Sequence, residues 1–412
     1  MGKGALSRYR ICDFSGILAG AGATKWLAAF GADVIRIEDP VRQGMWDIMR
    51  AFGPYVDERR GIEMSGGFNN HNTGKRGITV NLRTDKGRAI VAEIIRRSDV
   101  VAENFAAGVL AKMGFPYERM RELRADIVYV SNCGFGHRSP YWRYKTWGPI
   151  AQALGGLTFS AGLPDMEPAG WGYSYMDHTA AYYMAMAILL ALVHRERTGE
   201  GQWVDLASTD ATLTLNGPAL LDWDVNHRPL RRPGQPHGNR NDWPPMAPHG
   251  VYPAAGDDEW IAIAVRNDDE WRALGAVAGA PWCADPAWAT LAARHADQDA
   301  LDAAVAGWTR LHDKFDLQAR LRAARIAAAA VQRPQERIDQ DPTTGEFGLW
   351  PEVTHPHIGR VRVDGLPVHL SRTDWTIDQP APCLGQHNEE VLHELLGMSR
   401  EEVAALRAEG VL

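Results

Sequence analysis

The 412-residue chain is 45% hydrophobic and 23% charged, an ordinary globular composition with length enough for two or three domains. Acidic residues outnumber basic ones, 51 to 44, and the net charge of -7 excludes a general attraction to nucleic acid or an anionic membrane. Four scattered cysteines, Cys12, Cys133, Cys283 and Cys383, form no CxxC pair, which argues against a zinc site or disulfide framework and fits a reducing cytoplasm.

The opening MGKGALSRYRICDF lacks the apolar core of a signal peptide. Ile11–Phe14 begins a strand–turn–helix–strand unit. Gly16, Gly20 and Gly22 occupy the turn, helix formers run to Phe30, and ADVIRIE is a β-branched strand. GITVNL, DVVAENF and DIVYVSNCGFG are further strands separated by helical segments, so the first 200 or so residues predict a doubly wound α/β domain. About fifteen almost entirely apolar residues, Thr179–Val193, form a helix, shorter than the roughly 20 residues needed to span a bilayer. DWDVNHRPLRRPGQPHGNRNDWPPMAPHG is dense in Pro, Gly, Asn and Arg and reads as a long surface connection. VYPAAGDDEWIAIAV predicts a hairpin around Gly256, and an alanine-rich helical region follows. PHIGRVRVDGLPVHLS returns to strand-like alternation before two amphipathic helices end the chain. The expected division is a large α/β domain over 1–205, a linker over 206–245, a small α/β domain over 246–330 and a C-terminal return over 331–412.

Several residues carry candidate chemistry. The glycines at 16, 20 and 22 are spaced GxxxGxG, with Glu38 where a nucleotide-binding fold keeps its ribose acid; NAD binding and simple close helix–strand packing both fit. Lys75, Arg76, Arg83, Lys86 and Arg88 form a basic cluster that suits either a solvated face or phosphate. No histidine spacing makes a metal set: His355 and His357 flank a proline, His178 follows Asp177, and no metal is expected. Asp177, just ahead of the long apolar run, suits an N-cap accepting the amides of residues 179 and 180. An ionised carboxylate there is also a usable nucleophile.

YMDHTAAYYMAMAILLALVHRERTGEGQWVDLASTDA resembles the nucleophile segment of the family III CoA-transferases, the formyl-CoA transferase and carnitine CoA-transferase group. GADVIRIEDP, NTGKRGITVNL, VVAENFAAGVLAKMGF and LGQHNEEVLHELLGMS fall in family order across nearly the whole chain. The resemblance implies a Rossmann-like large domain, a small α/β domain and two chains threaded as an interlocked ring-like dimer. It makes Asp177 the nucleophile, forming first an aspartyl mixed anhydride and then an aspartyl-CoA thioester. It implies no cofactor beyond substrate-borne coenzyme A. It places Lys75 and Arg76 near the CoA phosphates and matches Asn104 and Lys112 to CoA-contacting positions. Asp39 stands where formyl-CoA transferase has an adenine-contacting arginine, and Arg42 is the substitute. Gly16, Leu18 and Cys133 also depart from that enzyme and its tetraglycine loop has no counterpart, so formate and oxalate are poor substrates. In the related α-methylacyl-CoA racemases a histidine precedes the nucleophile helix; Trp147 stands in its place, which favours transfer over racemisation.

Trp147, Phe159, Trp171, Tyr173 and Tyr175 surround the nucleophile in sequence, as core aromatics or as the lining of an apolar acceptor pocket. The segment is most similar to transferases that use succinyl-CoA as donor and activate bulky acids, such as the benzylsuccinate transferases. Those pair two related subunits. The partner is therefore a second copy or a homologous chain, and a non-catalytic CoA-binding subunit remains a separate reading.

Overall fold

Six short segments rich in Val and Ile become one parallel sheet: β1 (Arg10–Asp13), β2 (Asp33–Glu38), β3 (Arg76–Thr79), β4 (Val100–Glu103), β5 (Val128–Cys133) and β6 (Trp203–Ala207). Their order is β3-β2-β1-β4-β5-β6, and every pairing is parallel. Alternation sends Ile11, Val34, Val100 and Val128 into one core and Cys12, Ile35, Val101 and Tyr129 into another. Both faces are covered, which is why the strands read as continuous apolar runs.

The computed structural model describes residues 4–161, 166–231, 238–241 and 243–412. They fall into two units, one of Met1–Ala161, Ala169–Leu220 and Thr343–Leu412, the other of Gly162–Pro168 and Leu221–Pro342. The helices of the first unit begin with α1 (Ala19–Ala29), α2 (Gly66–His71), α3 (Asp85–Arg96) and α4 (Val109–Lys112). They continue with α5 (Tyr117–Leu123), α6 (Gly148–Leu154), α7 (Leu157–Ser160) and α8 (Tyr175–Thr198). Thr84 starts α3 by accepting the Gly87 amide, and Ile90, Val91, Ile94 and Ile95 bury its inner face. Helices α1 and α8 share the opposite core through Ala23, Leu27, Ala181, Met184, Ile188 and Leu192.

Helix α8 runs 24 residues before Gly199, at φ 76, ends it. That corrects the expected length: by length and composition α8 is apolar enough to cross a membrane. Its buried stripe, however, is spent on the protein's own sheet, as in the core helix of a globular domain.

The stretch expected as a linker is also more ordered than its composition implies. β6 takes up Ala207, then α9 (Ser208–Leu213) and α10 (Gly217–Asn226) follow, and the chain passes between units within α10. Residues 232–237 and 242 of that linker lie outside the described residues.

The second unit holds an antiparallel sheet, β7 (His249–Pro253), β8 (Trp260–Ala264) and β9 (Ala327–Ala330), with Gly256 at φ 117 in the β7–β8 hairpin. Its core is Ile261, Ile263, Trp271, Leu274, Leu301, Val305, Trp308, Leu317 and Leu321. These come from the sheet and from α11 (Asp268–Ala278), α13 and α14, where α12 is Leu291–Ala296, α13 Gln298–Thr309 and α14 Lys314–Ala323. α15 (Pro334–Asp339) stays in this unit, its Glu336 paired with Lys314 at 2.7 Å, so the return starts near residue 343 and not at 331. α16 (Pro342–Glu346), the hairpin β10 (Glu352–His355) and β11 (Gly359–Arg362), α17 (Asn388–Leu396) and α18 (Arg400–Ala408) complete the chain. Val391, Leu392 and Val403 of the last two helices join the sheet core.

Candidate active site

In an open parallel sheet, ligands bind beyond the carboxyl ends of the strands, where the strand order reverses. Here that point lies between β1 and β4, and the segments following them are locked together. Asn104 accepts the Gly16 amide at 2.7 Å and donates to the Gly16 carbonyl at 3.0 Å, while Asp47 accepts the Ile17 amide at 2.9 Å. Ile17 sits at φ 54, a conformation a β-branched residue adopts only when its surroundings impose it. A Cβ on Gly20 would lie 2.3 Å from Ser15 Cβ and 2.7 Å from Asn104 Oδ1. The glycines thus serve close packing. Glu38 is held by Arg50 through two bonds of 2.7 and 2.8 Å, leaving no free carboxylate for a ribose.

Beneath this loop runs a buried ionic network. Lys75 donates to Asp13 at 3.2 Å, Asn72 at 2.9 Å and the Ala21 carbonyl at 3.0 Å. Arg36 reaches Asp47, Asn72 and the Ser15 carbonyl; Arg50 reaches Glu38 and Glu63. Burial pushes the Lys75 ammonium down to about 8, against the opposing pull of Asp13. The Lys75 side chain is wholly enclosed and its three donors are used, so it supports the loop and does not reach a phosphate. Arg76 is likewise spent, on Asp33 at 2.7 Å, Glu394 at 2.6 Å and Glu390 at 3.2 Å. Both side chains expected at the phosphates are thus committed to protein partners.

The other expected residues come together. A cleft of about 410 Å³ is lined by Asp39, Arg42, Trp46, Asn81, Leu82, Arg83, Arg88, Lys112, Met113 and Gly114. Arg42 and Lys112 meet there across the β2 and β4 connections, joined by Arg83 and Arg88 from the basic cluster. Arg88 is bridged to Asp85 and donates to the Leu82 carbonyl at 2.8 Å, whereas among the described residues Arg42, Arg83 and Lys112 pair with no carboxylate, so their donors are available to an anion. Trp46 also lines a smaller space of about 60 Å³ with Ser15, Gly16, Ile17, Asn104 and Phe105, which carries the cleft toward the β1 loop. Sequence reasoning missed Trp46, although a lone aromatic amid loop residues after β2 is the signal that could have found it.

Asp177 is the third residue of α8, and Ser174, not Asp177, is the N-cap; the expected capping role is corrected. Ser174 and the Gly148 backbone at the start of α6 lie beside the Asp177 carboxylate and favour its charged form. Burial outweighs both and pushes the carboxyl up to about 6. A Cβ on Gly148 would stand 2.9 Å from Asp177 Oδ2, so only glycine leaves the carboxylate this close to the α6 backbone. One helical turn further, Ala181 packs 3.4 Å from the position a Gly22 Cβ would take, which seats Asp177 one turn from the α1 contact. Around it Trp171 and Tyr175 rings lie 4.7 Å apart and Tyr173 meets Tyr175 edge-on at 6.0 Å. Trp147, Phe159, Trp171 and Tyr173 are exposed, so they are surface aromatics and not core.

Two groups have metal-like composition among the described residues: Cys133, His137 and Asp205, and Glu63, His355 and Cys383. In the first, the His137 ring meets Asp205 at 3.1 Å and the Gly108 amide at 3.2 Å, so both ring nitrogens already have protein partners. Burial pushes the Cys133 thiol up to about 12, which makes it a poor nucleophile. In the second, Glu63 is neutralised by Arg50.

Residues 6–388 match the family model for CoA-transferase family III. The chain is 31% identical over 408 residues to a succinyl-CoA–D-citramalate CoA-transferase of Chloroflexus aurantiacus, covering 99% of this chain and 98% of that one. It is 32% identical over 422 residues to a formyl-CoA:oxalate CoA-transferase of Streptomyces coelicolor, covering 99% of each. A succinate–glutarate CoA-transferase of Agrobacterium fabrum is 32% identical over 401 residues, 97% of each chain. Among solved structures, a CAIB/BAIF family protein from Brucella suis superposes with a TM-score of 0.85 at 29% identity, over 95% of this chain and 99% of that one.

Proposed function

The chain belongs to CoA-transferase family III, and from that premise we propose that it moves CoA from succinyl-CoA to a carboxylic acid through covalent intermediates on Asp177. The observation that carries this reading is the half-buried Asp177 carboxylate in the first turn of α8, set against the Gly148 backbone so closely that a Cβ there would stand 2.9 Å from Oδ2. An Asp177 oxygen attacks the donor thioester carbonyl, the C–S bond breaks and CoA leaves as thiolate. The thiolate then attacks Asp177 Cγ, the anhydride C–O bond breaks, and succinate departs from an aspartyl-CoA thioester. The acceptor carboxylate attacks that thioester, and the returned thiolate completes the exchange on the acceptor's carbonyl. No cofactor beyond CoA takes part.

Arg42, Arg83 and Lys112 hold the nucleotide phosphates, and Asn104 holds the Gly16–Ile17 loop against which the rest of the thioester lies. The succinyl donor is supported by relatives whose names carry succinyl-CoA, including a succinyl-CoA:mesaconate CoA-transferase of Haloarcula marismortui at 33% identity. The strand order β3-β2-β1-β4-β5-β6 supports a Rossmann-like large domain. The functional form is an interlocked dimer, whose partner covers the exposed Tyr182, Met186, Leu190 and Val193 of α8.

The test is a screen of acceptor acids with succinyl-CoA and acetyl-CoA as donors, read by chromatography of the CoA esters. Exchange with at least one acid, abolished in Asp177→Ala while the oligomer persists, is the expected result. Undiminished exchange in that variant would end the proposal.

A further inference from the structure

Helix α6 presents two faces. Pro149, Ile150, Ala153 and Leu154 are exposed, while Gly148, Ala151 and Gln152, with Gly155 just beyond the helix, are buried. These four positions, spaced i, i+3, i+4 and i+7, form one stripe. Three of its members have evident packing roles. Gly148 lies against Asp177 and Ser174, Ala151 packs in a small core with Leu157 and Met176, and Gly155 faces Thr212. Gln152 is the polar exception. It is only 1% exposed, and among the described residues its Nε2 has no hydrogen-bond acceptor. A buried amide donor left unmatched is destabilising, and a methionine of similar length would fill the same space without that cost. An orphan of this kind, one helical turn from the glycine packed against Asp177, is free to take a partner that forms during turnover.

We propose that the Gln152 side-chain amide donates to the oxyanion that develops on Asp177 itself. The inference rests on the aspartyl mechanism above. When CoA thiolate attacks Cγ of the acylated Asp177, a C–S bond forms and the carbonyl electron pair moves onto the remaining Oδ. Collapse returns that pair, breaks the Cγ–O bond and releases the donor carboxylate. Gln152 keeps its proton throughout and supplies only a hydrogen bond. In the resting enzyme the carboxylate lies beside Gly148 and Ser174, and Gln152 Nε2 is unused. A donor engaged in the transition state and idle in the ground state is the kind that raises kcat and not affinity.

The experiment compares wild type with Gln152→Met and Gln152→Glu in the full chain. kcat in Gln152→Met is expected to fall about 10²–10³-fold, the usual cost of one oxyanion donor. KM for the CoA ester stays within about threefold, since only the transition state loses a bond. The melting temperature of Gln152→Met equals or exceeds that of wild type, because an orphaned amide has been replaced by an apolar chain. Gln152→Glu loses activity as well, most at high pH where it is an anion. A Gln152→Met enzyme with wild-type kcat would overturn the proposal, and so would one that melts well below wild type, since the amide would then be bonded in the resting fold. Failure of the aspartyl mechanism is separable: it would show as an unmodified Asp177 in wild type, whatever Gln152 does.

Discussion

Two sets of cations less than fifteen residues apart in the chain do opposite work. Lys75 and Arg76 stand at the start of β3 and are locked into carboxylates, one beneath the β1 loop and one at the sheet. Arg83 follows the carboxyl end of the same strand and lines an open cleft with Arg42 and Lys112, which follow β2 and β4, while Arg88 on the same wall is bridged to Asp85. Both sets lie in one basic stretch of the sequence. What separates them is which side of a strand they occupy, because a parallel sheet assembles its binding crevice from whatever follows the strands.

The comparison breaks most sharply at Lys75. Replacing it with methionine leaves Asp13 buried without its cation, and loss of one partner of such a pair costs about 3–5 kcal/mol. Urea unfolding should show a large drop in midpoint; normal stability with a raised KM for CoA esters would return Lys75 to the ligand. Next in size is Gly148→Ala. The added methyl meets Asp177 Oδ2 at 2.9 Å and should lower kcat about 10²-fold by displacing the carboxylate, with little change in fold. Full activity in that variant would remove Gly148 from the site.

The cleft should respond more gently. Arg42→Ala, Arg83→Ala and Lys112→Ala are each expected to raise KM for CoA esters about five- to tenfold, at unchanged kcat and with a weakened dependence on salt. If one of them lowers kcat alone, that side chain acts at the reaction centre.

Smallest is the pH linkage of Asp177. Its carboxyl binds a proton more tightly in the folded protein, at about 6, than in the unfolded chain at 3.8, so ionisation above pH 6 costs folding stability. Asp177→Asn should therefore melt above wild type at neutral pH, with the difference vanishing below about pH 4. Wild-type turnover should fall as pH drops through about 6, because the protonated acid is not a nucleophile. A midpoint near 4 would mean the carboxylate is solvated.

Much of the fold was legible because β-branched runs such as ADVIRIE and DIVYV mark buried parallel strands unambiguously. The tetra-alanine strand β9 was not, since alanine favours helix and only pairing with β8 decides the outcome. α8 begins at Tyr175, four residues before the apolar run, so Asp177 moved from the cap into the first turn and its neighbours Gly148 and Ser174 became visible only in three dimensions. Arg42, Lys112 and Asn104 were placed by matching motifs; the burial of Lys75 depends on Asp13 and Asn72, and no local pattern announces that.

The central claim is a covalent bond to one side chain, and mass spectrometry of the enzyme quenched with hydroxylamine during turnover tests it directly. The account predicts a hydroxamate on the peptide carrying Asp177, dependent on the acyl-CoA donor and absent when CoA alone is supplied. A chain that exchanges CoA at full rate while that peptide stays unmodified would contradict it.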